Sequence, residues 1–572
     1  MKVCLTPLLA VLLLSVGMSL GAQPPELRGV WVHGTQLKTP AATDAIVARI
    51  DRANLNAAFV LVWYWGGQVF FQSILCPMAD GVQPGYDPLK YMVERCHQRG
   101  IQVHAWFVNG SYGSPEVRHV LDKHPDWAVQ DSTGGFWYDF SKPEVRRFES
   151  DLMIECLRKY DVDGIHFDYI RYGPRQCYCD YCQSTFARRY GFAPLTQDRR
   201  TKFPAGASIT GNPLAKPTTA TVLAEFYDGT PAIALNKLGR GATLLLNWHA
   251  ENEMPPAVAE TVKLMLGIWT TAGGQVYLTT TAANRAQYGV SSLETTRAAL
   301  LRLGYRSTSI PAEQIAKLSS SSVLVLPGVY LIPDDTARNL EQYVRRGGRV
   351  LIIDGPTKSI QLPAVQHVTG FTAGGRYLNR DDVIRSTGRS PLVPKGDHQM
   401  NLADWKRRMS KWAEFRKLGV TELVRDVYRR AKGLKPNVQV TAAVMSTLES
   451  ADAAYQEWPR WLREKTIDAV MPMAYTEDTA ELSRQIAQWK KIDPSLQRII
   501  PGLSIYQDDA GKTATRDLTL IRRQHSLCRQ QGAHGNLYFS VEYLNEPLVA
   551  IFRTEFHPTD TKPYTPPLAR LP

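Results

Sequence analysis

The chain's 572 residues exceed what one hydrophobic core holds, so two or three domains are expected. Hydrophobic residues at 44% and charged residues at 21% argue against long disordered tracts. The net charge of +13 is spread out, with no polybasic tract, helix-turn-helix or zinc-finger pattern; this argues against nucleic acid as a partner and for acidic glycans or a cell wall as surroundings.

Met1-Lys2, an apolar run over 8–16 and small residues at Ser19, Gly21 and Ala22 read as a secretory signal peptide over 1–22. Its apolar core is too short to span a bilayer, and no later stretch is long enough. Export to the periplasm or the cell exterior, without stable membrane insertion, is the expectation. Cys4 leaves with the signal, so an odd number of the eight cysteines remains and complete internal pairing is impossible.

Short β-rich runs at 27–33, 57–63, 101–107 and 162–168 alternate with helical stretches. Those helices open at Thr39-Pro40, at Asp87-Pro88 and at Ser141-Lys142-Pro143-Glu144, the last with the spacing of a capping box. The pattern resumes with a helix over 412–432 and strands at 438–444, 467–474, 499–504 and 536–541. Four strands before and four after predict a (β/α)8 TIM barrel in two halves, 23–200 and 397–560, with a tail over 561–572.

The interruption, 201–396, is itself α/β. Strands at 276–279, 323–326 and 349–353 alternate with helices over 293–303 and 336–346, which predicts a Rossmann-like domain inserted after barrel strand four. The stretch "SSSVLVLPGVYLIPDDTARNLEQYVRRGGRVLIIDG" resembles the glutamine-amidotransferase-like domains appended to some bacterial glycosidases. An active amidotransferase needs a cysteine on a strand-to-helix turn, and the insert has none, so a non-catalytic structural, glycan-contacting or oligomerising module is expected.

In barrel enzymes the carboxyl ends of the strands carry the active site. Strand four, "DGIHFDYIRYG", brings His166, Asp168, Tyr169 and Arg171 there. A carboxylate ending an apolar strand is costly unless solvated, paired or catalytic, and Asp168 is the first catalytic candidate; a purely structural Asp168 would pair with Arg171 or cap a helix. Strand three contributes His104, Trp106 and Asn109, strand one Trp31 and His33, and strand two Trp63 with Tyr64 and Trp65. Aromatic faces and polar edges of this kind suit a sugar-binding cleft.

The segments "ELRGVWVHG", "GIQVHAWFVNG", "KPEVRRFESDLMIECLRKYDVDGIHFDYIRYG", "WAEFRKLGVTELVRDVYRRAKGLKPNVQVTAAV", "WPRWLREKTIDAVMPMAY" and "GNLYFSVEYL" resemble, in order, the bacterial glycosyl-hydrolase-like family 10. The resemblance covers nearly all of the expected barrel. It implies a distant relationship to α-amylase and α-galactosidase barrels, whose strand-four aspartate is the nucleophile. Gly164-x-x-x-Asp168 looks like that arrangement, and Asn109 looks like a substrate-site position. Some family members act on the glycan strands of peptidoglycan, which makes such strands one expected partner.

Glycoside hydrolysis normally needs a second carboxyl group. Strand ends favour Glu449 and Glu477, while Glu542 after strand eight could instead orient substrate. Tyr475 is placed to contact sugar or Asp168, and Asp139 to meet substrate or lead into the capping box. Cys177, Cys179 and Cys182 form a C-x-C-x-x-C cluster beside the mouth. It reads either as a structural zinc site completed by Cys76 or Asp180, or as a disulfide with one spare thiol. The expected function is hydrolysis of O-glycosidic bonds in a polysaccharide or cell-envelope glycan, with no cofactor needed for the chemistry. A non-catalytic glycan-binding barrel, or a lyase or transglycosylase in the same cleft, are the alternatives.

Overall fold

A computed structural model describes residues 26–558 except 65–66, 114–118, 131–135, 174–178, 194–206, 212–215, 227–228, 248–253, 255, 271–272, 357, 373–377, 383–384, 388, 390–401 and 510–511. The expected signal peptide, C-terminal tail, Trp65 and Cys177 lie outside the described residues.

Eight parallel strands close on themselves: β1 (Leu27–Val32), β2 (Ala57–Tyr64), β3 (Gln102–Val108), β4 (Gly164–Asp168), β5 (Gln439–Met445), β6 (Ala469–Met473), β7 (Gly502–Ser504) and β8 (Gly535–Phe539). Each pairs with its sequence neighbours, and β8 returns to β1, with Leu27 opposite Gly535 and Val30 opposite Tyr538. The barrel expected from strand counting is therefore present.

Strand alternation sorts the side chains. Val30, Val60, Val103, Ile165 and Val440 point outward into the layer shared with the helices, while Trp31, Phe59, Trp106, Ala443, Met471 and Leu537 fill the barrel. Helix starts follow the sequence signals at Thr39 and Asp87, whose side chains accept hydrogen bonds from the Ala42 and Lys90 amides. The third differs: Lys142 is the N-cap of helix Pro143–Lys159, without a side-chain cap. The Ser141 hydroxyl is engaged by Arg416 at 2.8 Å and Tyr172 at 3.0 Å instead of capping.

The chain leaves the barrel through helix Asp180–Tyr190 and re-enters through the long helix Leu402–Leu434. Between them, strands Ser307–Ser309, Val276–Leu278, Val323–Pro327, Arg349–Ile353 and Gly241–Leu246 pair in parallel, in that spatial order. Pro231–Leu238, Thr221–Glu225 and Arg385–Ser386 extend the sheet antiparallel. Separate apolar layers cover its two faces, one around Val262, Leu278 and Leu300 and the other around Leu340, Val344 and Val365. The antiparallel part was not expected from the sequence. Its signal is the Gly239-Arg240-Gly241 turn between two apolar runs, with Gly239 at φ 61°.

Candidate active site

Asp168 ends β4, and Trp106 lies two residues before the end of the neighbouring β3. The carboxylate is 5% exposed. Its Oδ2 accepts a hydrogen bond from Trp106 Nε1 at 3.1 Å, and its Oδ1 accepts one from the Tyr169 amide at 2.7 Å. The second contact depends on Tyr169 adopting a left-handed conformation, φ 49°, which turns its N–H back on the preceding side chain. Gly110 supports this turn, donating its amide to the Tyr169 carbonyl at 2.8 Å. A Cβ at Gly110 would lie 2.3 Å from the Arg171 carbonyl oxygen, so the close approach requires glycine.

Burial pushes Asp168 up to about 6, against the opposing pull of Arg171, the two N–H donors and His33. The group therefore changes charge near neutral pH while held in a fixed orientation. Arg171 stacks over the Tyr169 ring at 4.5 Å, so its charge is parked beside the carboxylate.

His33 follows β1 and reaches this group from the closing side of the barrel. Its ring lies 5.4 Å from Trp106, and its Nδ1 is 3.5 Å from Glu542 Oε2. Glu542, one-third exposed, also accepts from the Ser540 hydroxyl at 3.0 Å. The hydrogen bond to His33 holds the Glu542 carboxyl below the usual range, against the opposing effect of its partial burial. Asp168 and Glu542 are thus linked through His33 and Trp106.

Aromatic rings wall the same mouth. Phe539, the last residue of β8, lies 5.4 Å from His33, 5.6 Å from Tyr475 and 5.7 Å from Trp31. Tyr506 continues the wall 5.9 Å from Phe539. Neither Phe539 nor Tyr506 was expected in the site. The burial of Tyr475, with Asp168 nearby, holds its phenol far above the ordinary range, so it stays protonated as a hydrogen-bond donor.

Other sequence candidates lie elsewhere. His166 and His104 belong to the barrel core, and burial lowers both, His104 to about 4, so they are neutral. His166 Nε2 accepts from Trp31 Nε1 at 3.3 Å, leaving Nδ1–H to donate to the Thr441 hydroxyl at 2.9 Å. His104 stacks on Phe59 at 4.4 Å and lies against Gly164, where a Cβ would fall 2.0 Å from the ring. The glycine of the G-x-x-x-D spacing thus makes room for His104. Trp63 faces outward, between Tyr138 at 5.9 Å and Phe148 at 6.2 Å. Asn109 is fully buried and donates to Glu149 Oε2 at 2.9 Å, away from the mouth; burial holds Glu149 well above the usual carboxylate range. Glu477 is exposed, and Glu449 sits half-buried in the first turn of helix Leu448–Ala453. The charges that act most on Asp168 are those of Arg171 and His33. Asp139 is buried with Cys179 and Cys182.

Residues 26–202 and 367–516 match the glycosyl hydrolase-like 10 family. The glycosyl hydrolase DigH of Escherichia coli K12 is 28% identical over 196 residues, which cover 26% of this chain and 44% of DigH. The glycosyl hydrolase YngK of Bacillus subtilis is 28% identical over 202 residues, covering 29% of this chain and 39% of YngK. The chain thus spans under half the length of these curated relatives. Among solved structures, a β-galactosidase from Bacillus circulans sp. alkalophilus aligns over 90% of this chain and 50% of its own, with a TM-score of 0.43 and 11% identity. The family match runs through β4 and Asp168 and resumes inside the insert at residue 367, over more than half of the residues, and the chain belongs to the glycosyl hydrolase-like 10 family.

Proposed function

We propose that the chain is an exported glycoside hydrolase that cleaves O-glycosidic bonds of a polysaccharide or cell-envelope glycan, peptidoglycan strands included, at the β4–β8 mouth. The observation that carries this reading is the buried Asp168 carboxylate, oriented by two N–H donors inside an aromatic wall and coupled through His33 to a second carboxylate, Glu542. Asp168 acts as the nucleophile on the anomeric carbon. Glu542, held ionised by His33, is a poor proton donor; it orients the imidazole through Nδ1, and His33 passes its Nε2 proton to the leaving oxygen. The neutral imidazole then accepts a proton from the water that releases the glycosyl group. Tyr475, Phe539 and Tyr506 supply stacking faces and a hydroxyl for the sugar.

The insert is proposed to be non-catalytic. At its strand ends Asn284 Oδ1 accepts from the Tyr330 and Leu331 amides, and Tyr330 donates to Asp354 at 2.6 Å, which consumes the polar groups there. Glycan contact or oligomerisation remain its proposed roles.

The test is release of reducing ends from denuded peptidoglycan strands, α- and β-glucans and acidic polysaccharides by the full chain. Hydrolysis of one substrate is expected, with Asp168→Asn reducing it at least about a thousandfold. Wild-type turnover by that variant would remove Asp168 from the mechanism. Unsaturated or transferred products, or binding without product, would replace hydrolysis with a lyase, a transglycosylase or a binding barrel.

A further inference from the structure

Asp139, Cys179 and Cys182 meet at the point where the chain leaves and re-enters the barrel. Asp139 lies in the segment leading into helix Pro143–Lys159, Cys179 caps helix Asp180–Tyr190, and Cys182 occupies its first turn. Their ligand atoms lie within 4.8 Å of one another, with Asp139 and Cys182 fully buried and Cys179 half-buried. A tetrahedral zinc site with zinc–sulfur bonds of about 2.3 Å places its sulfurs roughly 3.8 Å apart, so these atoms need only small movements to share one ion.

The surroundings are those of a supported ligand set. Asp139 Oδ1 accepts from the Ser141 amide at 3.0 Å, from Tyr172 at 3.2 Å and from Arg416 at 3.2 Å. Those donors fix the carboxylate and leave Oδ2 aimed at the thiols, 2.8 Å from Cys182 Sγ. Arg416, fully buried on the re-entry helix, also lies 3.6 Å from Cys182 Sγ and offsets the negative charge of a carboxylate and two thiolates. The helix N-terminus favours thiolates at Cys179 and Cys182. Phe186, Trp412 and Phe415 enclose the group in an apolar shell. Cys76, one of the two fourth ligands expected from sequence beside Asp180, packs instead in the barrel–helix core.

We propose that Asp139, Cys179 and Cys182 bind one zinc-class divalent ion that staples the exit helix to the segment after β3. Binding releases both thiol protons to solvent, and metal bonds to Asp139, Cys179 and Cys182 replace the Cys182–Asp139 hydrogen bond. No redox step is involved, and the glycan chemistry at Asp168 is not required.

The test uses the reduced full chain. Metal analysis should find about one zinc per chain, and cobalt(II) substitution should give a thiolate-to-cobalt charge-transfer band in the near ultraviolet. Cys179→Ser, at the half-buried position, should weaken zinc binding at least about tenfold and diminish that band. A chain that takes up neither metal, a Cys179–Cys182 disulfide found by mass, or zinc binding unchanged in Cys179→Ser would overturn the proposal. The cobalt band of the unmodified chain decides the matter even where a variant fails to fold.

Discussion

Asp168→Asn separates the energetic role of this side chain from its chemical one. Burial raises the folded-state carboxyl from 3.8 to about 6. A carboxyl raised on folding contributes stability below its unfolded pKa and loses it as pH rises through the folded value. At roughly 1.4 kcal/mol per pKa unit, the ionised Asp168 costs the fold roughly 3 kcal/mol at about pH 8 and little at about pH 4. Asparagine carries no such charge, although it loses one acceptor for the Trp106 or Tyr169 N–H at every pH. That loss is constant, so the pH dependence of the difference isolates the charge. Denaturant unfolding should find Asp168→Asn gaining roughly 2–3 kcal/mol on the wild type between about pH 4 and about pH 8. The same offset at both pH values would refute the assignment of a desolvated, strained carboxylate.

Trp106→Phe removes the N–H donor to Asp168 Oδ2, a hydrogen bond to a charged group worth about 1.5–3 kcal/mol. The acid limb of the kcat/KM profile should move up from about 6 by roughly one to two pH units, and an unmoved limb would exclude this contact as a control on Asp168. Glu542→Gln and His33→Ala should each lower kcat about a hundredfold or more with little change in KM, and the double variant should be no worse, as expected for a pair acting as one unit; additive losses would show that they act separately. Gly110→Ala forces a Cβ against the Tyr169 and Arg171 carbonyl oxygens and should destabilise the fold by about 1–3 kcal/mol, read as a lowered denaturation midpoint; an unchanged midpoint would mean the β3 and β4 loops separate freely.

The barrel strands were legible because each is an apolar run buried on both faces and bounded by helix-start signals, and eight such units leave few other closures. Which face a given side chain takes was less legible. Strict alternation along β2 from Phe59 places Trp63 inside the barrel, but the register shift between Leu61 and Trp63 turns Trp63 outward and leaves Tyr64 against the core. A bulge of one residue reverses the assignment of everything after it. Asn109 and Asp139 mislead for a different reason. Their positions after β3 place them near the mouth, but their orientation is set by Glu149 on the next helix and by Arg416 on the helix beyond the insert.

The second carboxylate carries a signal that strand counting already contains. Glu449 and Glu477 stand out only when each strand end is read by its own residues. Closure of the barrel adds a different rule: β8 must lie beside β1, as Leu27 opposite Gly535 records. The residues just past those two strands, His33 and Glu542, are therefore neighbours although they stand near opposite ends of the chain, and the ion pair follows from the topology. The same rule brings Phe539 to Trp31 and His33. Asp168 reaches the pair across the barrel through Trp106, whose ring touches both His33 and the carboxylate. The nucleophile proposed on the fourth strand and the proton carrier proposed at the seam between the eighth and the first thus come together only when the sheet closes, which is why no local motif announces the pairing.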